Sequence, residues 1–165
     1  MANIESLRRE FEQETKKTRP HLERLPEDKL DWRPHEKSFT AGGLASHLVE
    51  CVGWAESIFG LDELNVDPAT YKAFAAGSVA EVLRAFDDRV ARGARALADA
   101  DDEALAGTWR LKLRGKTRFE RSRGDVFRDF TLNHLIHHRG QFTVYLRLLN
   151  VAVPGTYGPS ADEQF

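Results

Sequence analysis

Residues 125–150 read DVFRDFTLNHLIHHRGQFTVYLRLLN, and the fold turns on how that run is placed. Phe127, Phe130, His134, His138, Gln141, Tyr145 and Leu148 recur at steps of three and four, the period of one face of an α-helix. Ser122 and Asp125 supply capping chemistry at its start, and Pro154, Gly155, Gly158 and Pro159 end regular structure beyond it. The stripe is apolar except where histidines and one glutamine stand in it. His134 and His138 are four residues apart, so they project roughly 40° from each other, one turn apart. One metal ion can accept both imidazoles at that spacing.

Three other segments carry the same period. In the first, Ile4, Leu7, Phe11, Thr18, Leu22 and Leu25 are helically spaced, with a polar interval at Glu14 and Thr15. Pro20 predicts a kink or break inside it, and Pro26 a stop. Residues 26–39 read as an ordered connection around a buriable Trp32. Thr40 is the expected N-cap of a second helix of about twenty residues, with a stripe of Leu44, His47, Leu48, Cys51, Trp54, Ala55 and Ile58, ending near Gly60. A looser segment with Pro68 and Gly77 follows. Ser78 and Glu81 then fit a capping box opening a third helix to about Ala100, with Gly93 as its weak point.

Residues 107–123 change period. Trp109, Leu111 and Leu113 alternate with Arg110, Lys112 and Arg114, and Gly115-Lys116 interrupts them. That predicts a short hairpin or extended flap with one apolar and one basic face. Four long helices plus this insert predict an all-α fold, a four-helix bundle with a short extended or hairpin insert before the last helix.

Composition bounds the function. With 165 residues the chain is expected to be a single domain over 1–165, and 41% hydrophobic content suits a packed core. Lys plus Arg is 24 against 26 Asp plus Glu, a net charge of -2, which argues against whole-domain attraction to nucleic acid or an anionic membrane. No apolar run approaches the length of a membrane span, and the charged segment MANIESLRREFEQE predicts no signal peptide. The lone Cys51 excludes an intramolecular disulfide and fits a reducing, cytoplasmic setting. No nucleophile triad, phosphate loop or paired-cysteine zinc finger is present.

Four of the six histidines lie on helical stripes where apolar residues are expected: His47, His134, His137 and His138. His47 is the candidate on a second core stripe that would complete an open site of three nitrogens, leaving positions for water or substrate. His137 sits on the flank, about 100° from His138, and reads as a supporting or interfacial residue. Cys51, four after His47, reads as a small buried hydrophobe rather than a ligand. Glu50, three after His47, suits a carboxylate that orients a ligand or acts as a base, or is simply solvated. His21 and His35 lie in surface-like contexts. The alternation of Arg110, Lys112, Arg114, Lys116, Arg118, Arg121 and Arg123 reads as a solvated strand face, or as a rim that draws in an acidic substrate.

The stretches LPEDKLDWRPHEKSFTAGGLASHLVE (Leu25 to Glu50) and NHLIHHRGQFTVYLRLLNVAVPGTYG (Asn133 to Gly158) resemble the DinB/YfiT-like family of small metal-binding proteins. The most specific parts are the Asp-Trp-Arg-Pro connection, the histidine of the second helix and the H-x-x-H-H-R-G-Q run. The resemblance implies a four-helix bundle, commonly a homodimer, holding a divalent metal such as zinc or nickel on three histidines, here His47, His134 and His138. Arg139 and Gln141 match the same motif without an assigned role. It also implies a metal-dependent transferase that activates a low-molecular-weight thiol for attack on an electrophilic small molecule. Two alternatives stand beside it. One is a hydrolase using metal-bound hydroxide, with Glu50 as candidate base. The other is a non-enzymatic, metal-stabilised dimeric stress protein. A nucleic-acid role for 110–123 is disfavoured by the near-neutral charge.

Overall fold

Short polar side chains start the long helices. Asn3 Oδ1 accepts the Ser6 amide at 2.8 Å and opens α1 (Ile4–Glu23). Thr40 Oγ1 accepts the Gly43 amide at 3.0 Å and opens α2 (Ala41–Gly60). Ser78 Oγ accepts the Glu81 amide at 3.1 Å and opens α3 (Val79–Ala98). The Glu81 carboxylate reaches back to the Gly77 amide, one position before the one a capping box uses. The computed structural model describes residues 3–164. A short α4 (Asp102–Ala106) follows α3. After the hairpin, α5 (Arg123–Phe127), a π-helical turn (Arg128–Asn133) and α6 (His134–Leu148) form one continuous helical run.

The long helices pack in a ring: α2 against α3 and α6, and α1 against the same two. Leu7, Phe11, Leu44, Leu48, Ile58, Phe86, Leu97, Phe127 and Phe142 are fully or almost fully buried between them. Each such side chain contributes about 1.5–3 kcal/mol by leaving water. Gly93 is where α3 comes closest to its neighbours. A Cβ there would stand 3.0 Å from both Ala55 Cβ and the Phe11 ring, so helix propensity has given way to close packing.

The all-α expectation is corrected by a three-stranded sheet. The expected hairpin is β2 (Thr108–Leu113) and β3 (Lys116–Ser122), joined by Arg114 and Gly115, both at positive φ as a type I′ turn requires. A further strand, β1 (Glu63–Val66), pairs parallel to β2 and gives the order β1-β2-β3. It lies in the segment that reads as irregular. Four residues are too few for a periodic signal, and pairing with the open edge of β2 decides its conformation.

Charge supports the pairing. Lys112 Nζ meets Glu63 at 2.6 Å and Arg114 meets Asp67 at 3.0 Å. Arg110 pairs with Glu120, Arg121 with Asp129 and Arg123 with Asp62. The basic alternation is therefore largely neutralised by its own surroundings. Trp109 pins the sheet to α2: it is wholly buried, and its indole N–H donates to the Ser57 carbonyl at 3.2 Å.

Three further readings change. α1 continues through Pro20, whose missing N–H leaves only the exposed Lys16 carbonyl without a partner. The polar interval at Glu14 and Thr15 is buried rather than a break. In α6 the buried residues are Leu135, His138, Arg139, Phe142, Tyr145 and Leu146, while Gln141 and Leu148 are exposed. The π turn inserts one extra residue upstream, so the core stripe is displaced by about one position from the one an unbroken α-helix would present.

The chain after α6 folds back over α1. Arg24 pairs with Glu163 and Arg147 with Asp162. This tail buries His21 completely, against the expectation of a surface position. Its Nδ1 donates to the Lys17 carbonyl at 2.9 Å, and Nε2 accepts from Thr156 Oγ1 at 3.2 Å. Among the described residues no helix is long and apolar enough to cross a membrane.

Candidate metal centre

His47 on α2 and His134 and His138 on α6 meet where those helices pack. The ring centroids of His47 and His138 are 4.5 Å apart, those of His134 and His138 4.7 Å, and those of His47 and His134 4.9 Å. Helical spacing had placed all three on inward stripes, and the structure brings all three together. His137 is exposed, its ring 4.8 Å from that of His138, as a flanking position requires. His35 is exposed in a turn, its Nδ1 accepting the Lys37 amide.

Two of the three rings are held by a partner outside the group. Nδ1 of His47 donates to Glu50 Oε2 at 3.1 Å, and Nδ1 of His138 donates to Gln141 Oε1 at 2.7 Å. His134 faces the other two rings, and its own hydrogen-bond contact is with Nε2 of His47. A neutral imidazole has one donor and one acceptor nitrogen. With that donor committed outward, Nε2 of His47 and of His138 is a bare acceptor. Yet Nε2 of His47 stands 3.2 Å from Nε2 of His134. The His47 nitrogen accepts there, either from an N–H of His134 or, with both nitrogens bare, by sharing a metal ion with it. Zinc–nitrogen bonds of about 2.0–2.1 Å at a tetrahedral angle put two ligand atoms about 3.3–3.4 Å apart. The donor set fits a divalent metal.

The electrostatics favour the neutral rings a metal needs. Burial holds the His134 imidazolium below its ordinary range and the charge of His47 adds to that, while the backbone at Phe130 opposes it. His138 is pushed down to about 4, chiefly by burial and also by the neighbouring imidazoles, against the bond to Gln141. Phe39, about half exposed, stacks on His47 at 5.4 Å and meets His138 edge-on.

Cys51, set aside as a buried hydrophobe, lies one turn beyond His47, and donor atoms of His47, Cys51 and His134 all fall within 4.8 Å of one another. This group could hold a metal ion. Burial, then the nearby Glu50 charge, pushes the Cys51 thiol up, so without a metal it stays protonated.

Glu50 uses both oxygens. Oε2 accepts from His47, and Oε1 accepts the Tyr71 hydroxyl at 2.9 Å and the Phe74 amide at 3.0 Å. Burial acts to raise its carboxyl, but the bonds from His47, Phe74 and Tyr71 outweigh it and hold the group below the usual range. Of the roles read for Glu50, the geometry suits orientation of His47. Tyr71 and Phe74 lie on the loop between β1 and α3, and nothing in their spacing pointed to the site.

A family model described as "DinB family" matches residues 1–164. The crystal structure of a DinB-like protein from Bacillus cereus ATCC 10987 superposes with a TM-score of 0.74 at 23% identity, covering 94% of this chain and 98% of that one. A second, of the DinB-like protein YjoA from Bacillus subtilis, gives 0.71 at 17% identity, covering 96% and 98%. At those identities the likeness is one of fold. Among curated sequences, "Uncharacterized protein YrdA" of Bacillus subtilis (strain 168) is 50% identical over 34 residues, 21% of this chain and 20% of that protein.

Proposed function

The chain belongs to the DinB family, and from that premise we propose that it is a divalent-metal-dependent transferase joining a low-molecular-weight thiol to an electrophilic small molecule. His47, His134 and His138 hold the ion. The observation that carries this is the set of three close rings, two with Nδ1 committed outward, in which Nε2 of His47 and Nε2 of His134 stand 3.2 Å apart. Imidazole donors suit zinc and nickel. When bound, a divalent ion there stabilises a thiolate over a thiol, making a nucleophile available at neutral pH.

The chain's own residues do the rest. Glu50 and Gln141 fix the ring orientations of His47 and His138. Tyr71 and the Phe74 amide hold Glu50 in turn. Phe39 covers the rings on one side and limits water there. Exposed Val144 and Leu148 on α6 support the proposed homodimer, which sedimentation measures directly. The cytoplasm is the proposed setting, since the candidate site includes a reduced Cys51.

A second reading rests on Cys51. If its sulfur joins the three imidazoles, the ion is enclosed by four protein donors, as in structural sites, and the protein is a metal-stabilised, non-enzymatic one. A hydrolase is the third possibility, and the full engagement of Glu50 gives it no free base.

One experiment separates them. The purified protein is incubated with glutathione, bacillithiol or mycothiol and a generic electrophile, with and without a chelator. Chelator-sensitive thiol consumption supports the transferase. Turnover of activated esters without thiol supports the hydrolase. A lower melting temperature after chelation, with no turnover of either kind, supports the structural metal and sinks the transferase.

A further inference from the structure

A cavity of about 510 Å³ lies between α2, α3 and the sheet, a volume in the range of small-molecule sites. Trp54, Leu64, Val66, Leu111 and Leu113 give it apolar walls, and Arg89 projects along it from α3. We propose that it binds a small amphipathic anion, with the apolar body against Trp54 and the strand leucines and the carboxylate, sulfonate or phosphate head on Arg89.

Charge decides the sign of the ligand. The acidic groups of the lining are already engaged: Glu50 by His47, Tyr71 and the Phe74 amide, and Glu56 by Arg92 at 3.2 Å. Arg92 also pairs with Asp88. Arg89 makes one long hydrogen bond, to the Val49 carbonyl at 3.4 Å, and its guanidinium lies over the Phe74 ring at 5.1 Å. Among the described residues it has no ion-pair partner, so most of its donors remain available to an oxyanion. Gly53 makes room for it. A Cβ at that position would stand 3.1 Å from both Cδ and Nη1 of Arg89, so a larger residue would force the side chain off the helix surface.

The cavity shares Glu50 and Tyr71 with the metal centre, but His47, Cys51, His134 and His138 do not line it. The inference therefore stands without a metal, and its test is run on the protein both as purified and after chelation. The probe is 8-anilinonaphthalene-1-sulfonate, compared with the neutral N-phenyl-1-naphthylamine, by titration calorimetry and probe fluorescence. Saturable one-to-one binding of the sulfonate is expected. Arg89→Gln should weaken it about tenfold or more, the size of a lost charge-assisted hydrogen bond, leave the neutral probe within about twofold, and Arg89→Lys should retain most of the affinity. If circular dichroism shows Arg89→Gln unfolded, Leu113→Glu carries the same test, because it adds a carboxylate to the half-open wall and must weaken the anion selectively. Equal affinity for the two probes, or sulfonate binding unmoved by these substitutions, overturns the proposal. So does the absence of saturable binding. Loss on chelation alone would instead assign the probe to the metal centre and overturn the cavity as its site.

Discussion

The guanidinium of Arg139 lies 2.6 Å from Oε2 of Glu14, with both side chains almost wholly withdrawn from water, one residue beyond His138. Arg139 also donates to the Glu14 carbonyl, to Thr18 Oγ1 and to the Tyr157 hydroxyl, and that hydroxyl donates to Glu14 at 2.7 Å. One network, buried at Glu14, Thr18 and Arg139 and open to solvent at Tyr157, thus ties α1, α6 and the carboxyl-terminal tail together beside the candidate ligand.

Arg139→Met should therefore destabilise the protein by about 3 kcal/mol, because buried Glu14 loses its close counter-ion and keeps only the Tyr157 hydroxyl and Lys17, 3.6 Å away. Urea unfolding measures it. Adding Glu14→Leu should recover much of the loss. A single substitution costing under about 1 kcal/mol would show that water reaches the pair.

Metal content tests the ligand assignment. His47→Ala, His134→Ala and His138→Ala should each lose most of the bound ion on dialysis, as read by elemental analysis, while His137→Ala keeps most of it. Cys51→Ser distinguishes the two donor sets: retention of the ion favours the three imidazoles, and loss equal to that at His134 favours a site that includes the sulfur.

Glu50→Gln removes the negative charge and leaves one acceptor oxygen, enough for His47 or for the Tyr71 hydroxyl and Phe74 amide but not for both. Metal affinity should fall about 10- to 100-fold, the usual effect of losing a partner that orients a ligating histidine. Competition with a chromogenic chelator reads it. Far-ultraviolet circular dichroism should be unchanged, since the substitution alters one side chain and leaves the helices and their packing intact.

Acid should weaken the chelated protein before its carboxylates protonate. Burial chiefly holds His21 below the ordinary histidine range, and His134 and His138 likewise. Below about pH 6.5 the unfolded chain binds protons that the folded chain refuses. Stability is thus full above that value and lost as pH falls through the window toward about 4, where folded His138 titrates. Melting temperatures from pH 8 to 4 measure the slope, and His21→Gln should make it shallower.

Helix placement was legible because Thr40 and Ser78 announce their helices and the apolar stripes are long. The hairpin was legible from strict alternation around Gly115. The meeting of His47, His134 and His138 followed from helical spacing on two stripes. What spacing could not show were partners distant in the chain. Arg139 and Glu14 are 125 residues apart, and a charged residue on a stripe looks like an interruption until its counter-ion is seen. His21 looked exposed because its cover arrives from Thr156. The acidic residues 62–67 and the basic alternation 110–114 were complementary in plain view, yet only the sheet reveals them as neighbours.

The π turn at Arg128–Asn133 has a consequence for access. A single inserted residue rotates everything after it by about 100°, so Leu135, not His134, points to the middle of the bundle. An uninterrupted helix would entomb the imidazoles among leucines. The irregular one keeps His47 and His134 half-buried beside a buried His138, so two of the three rings keep contact with solvent.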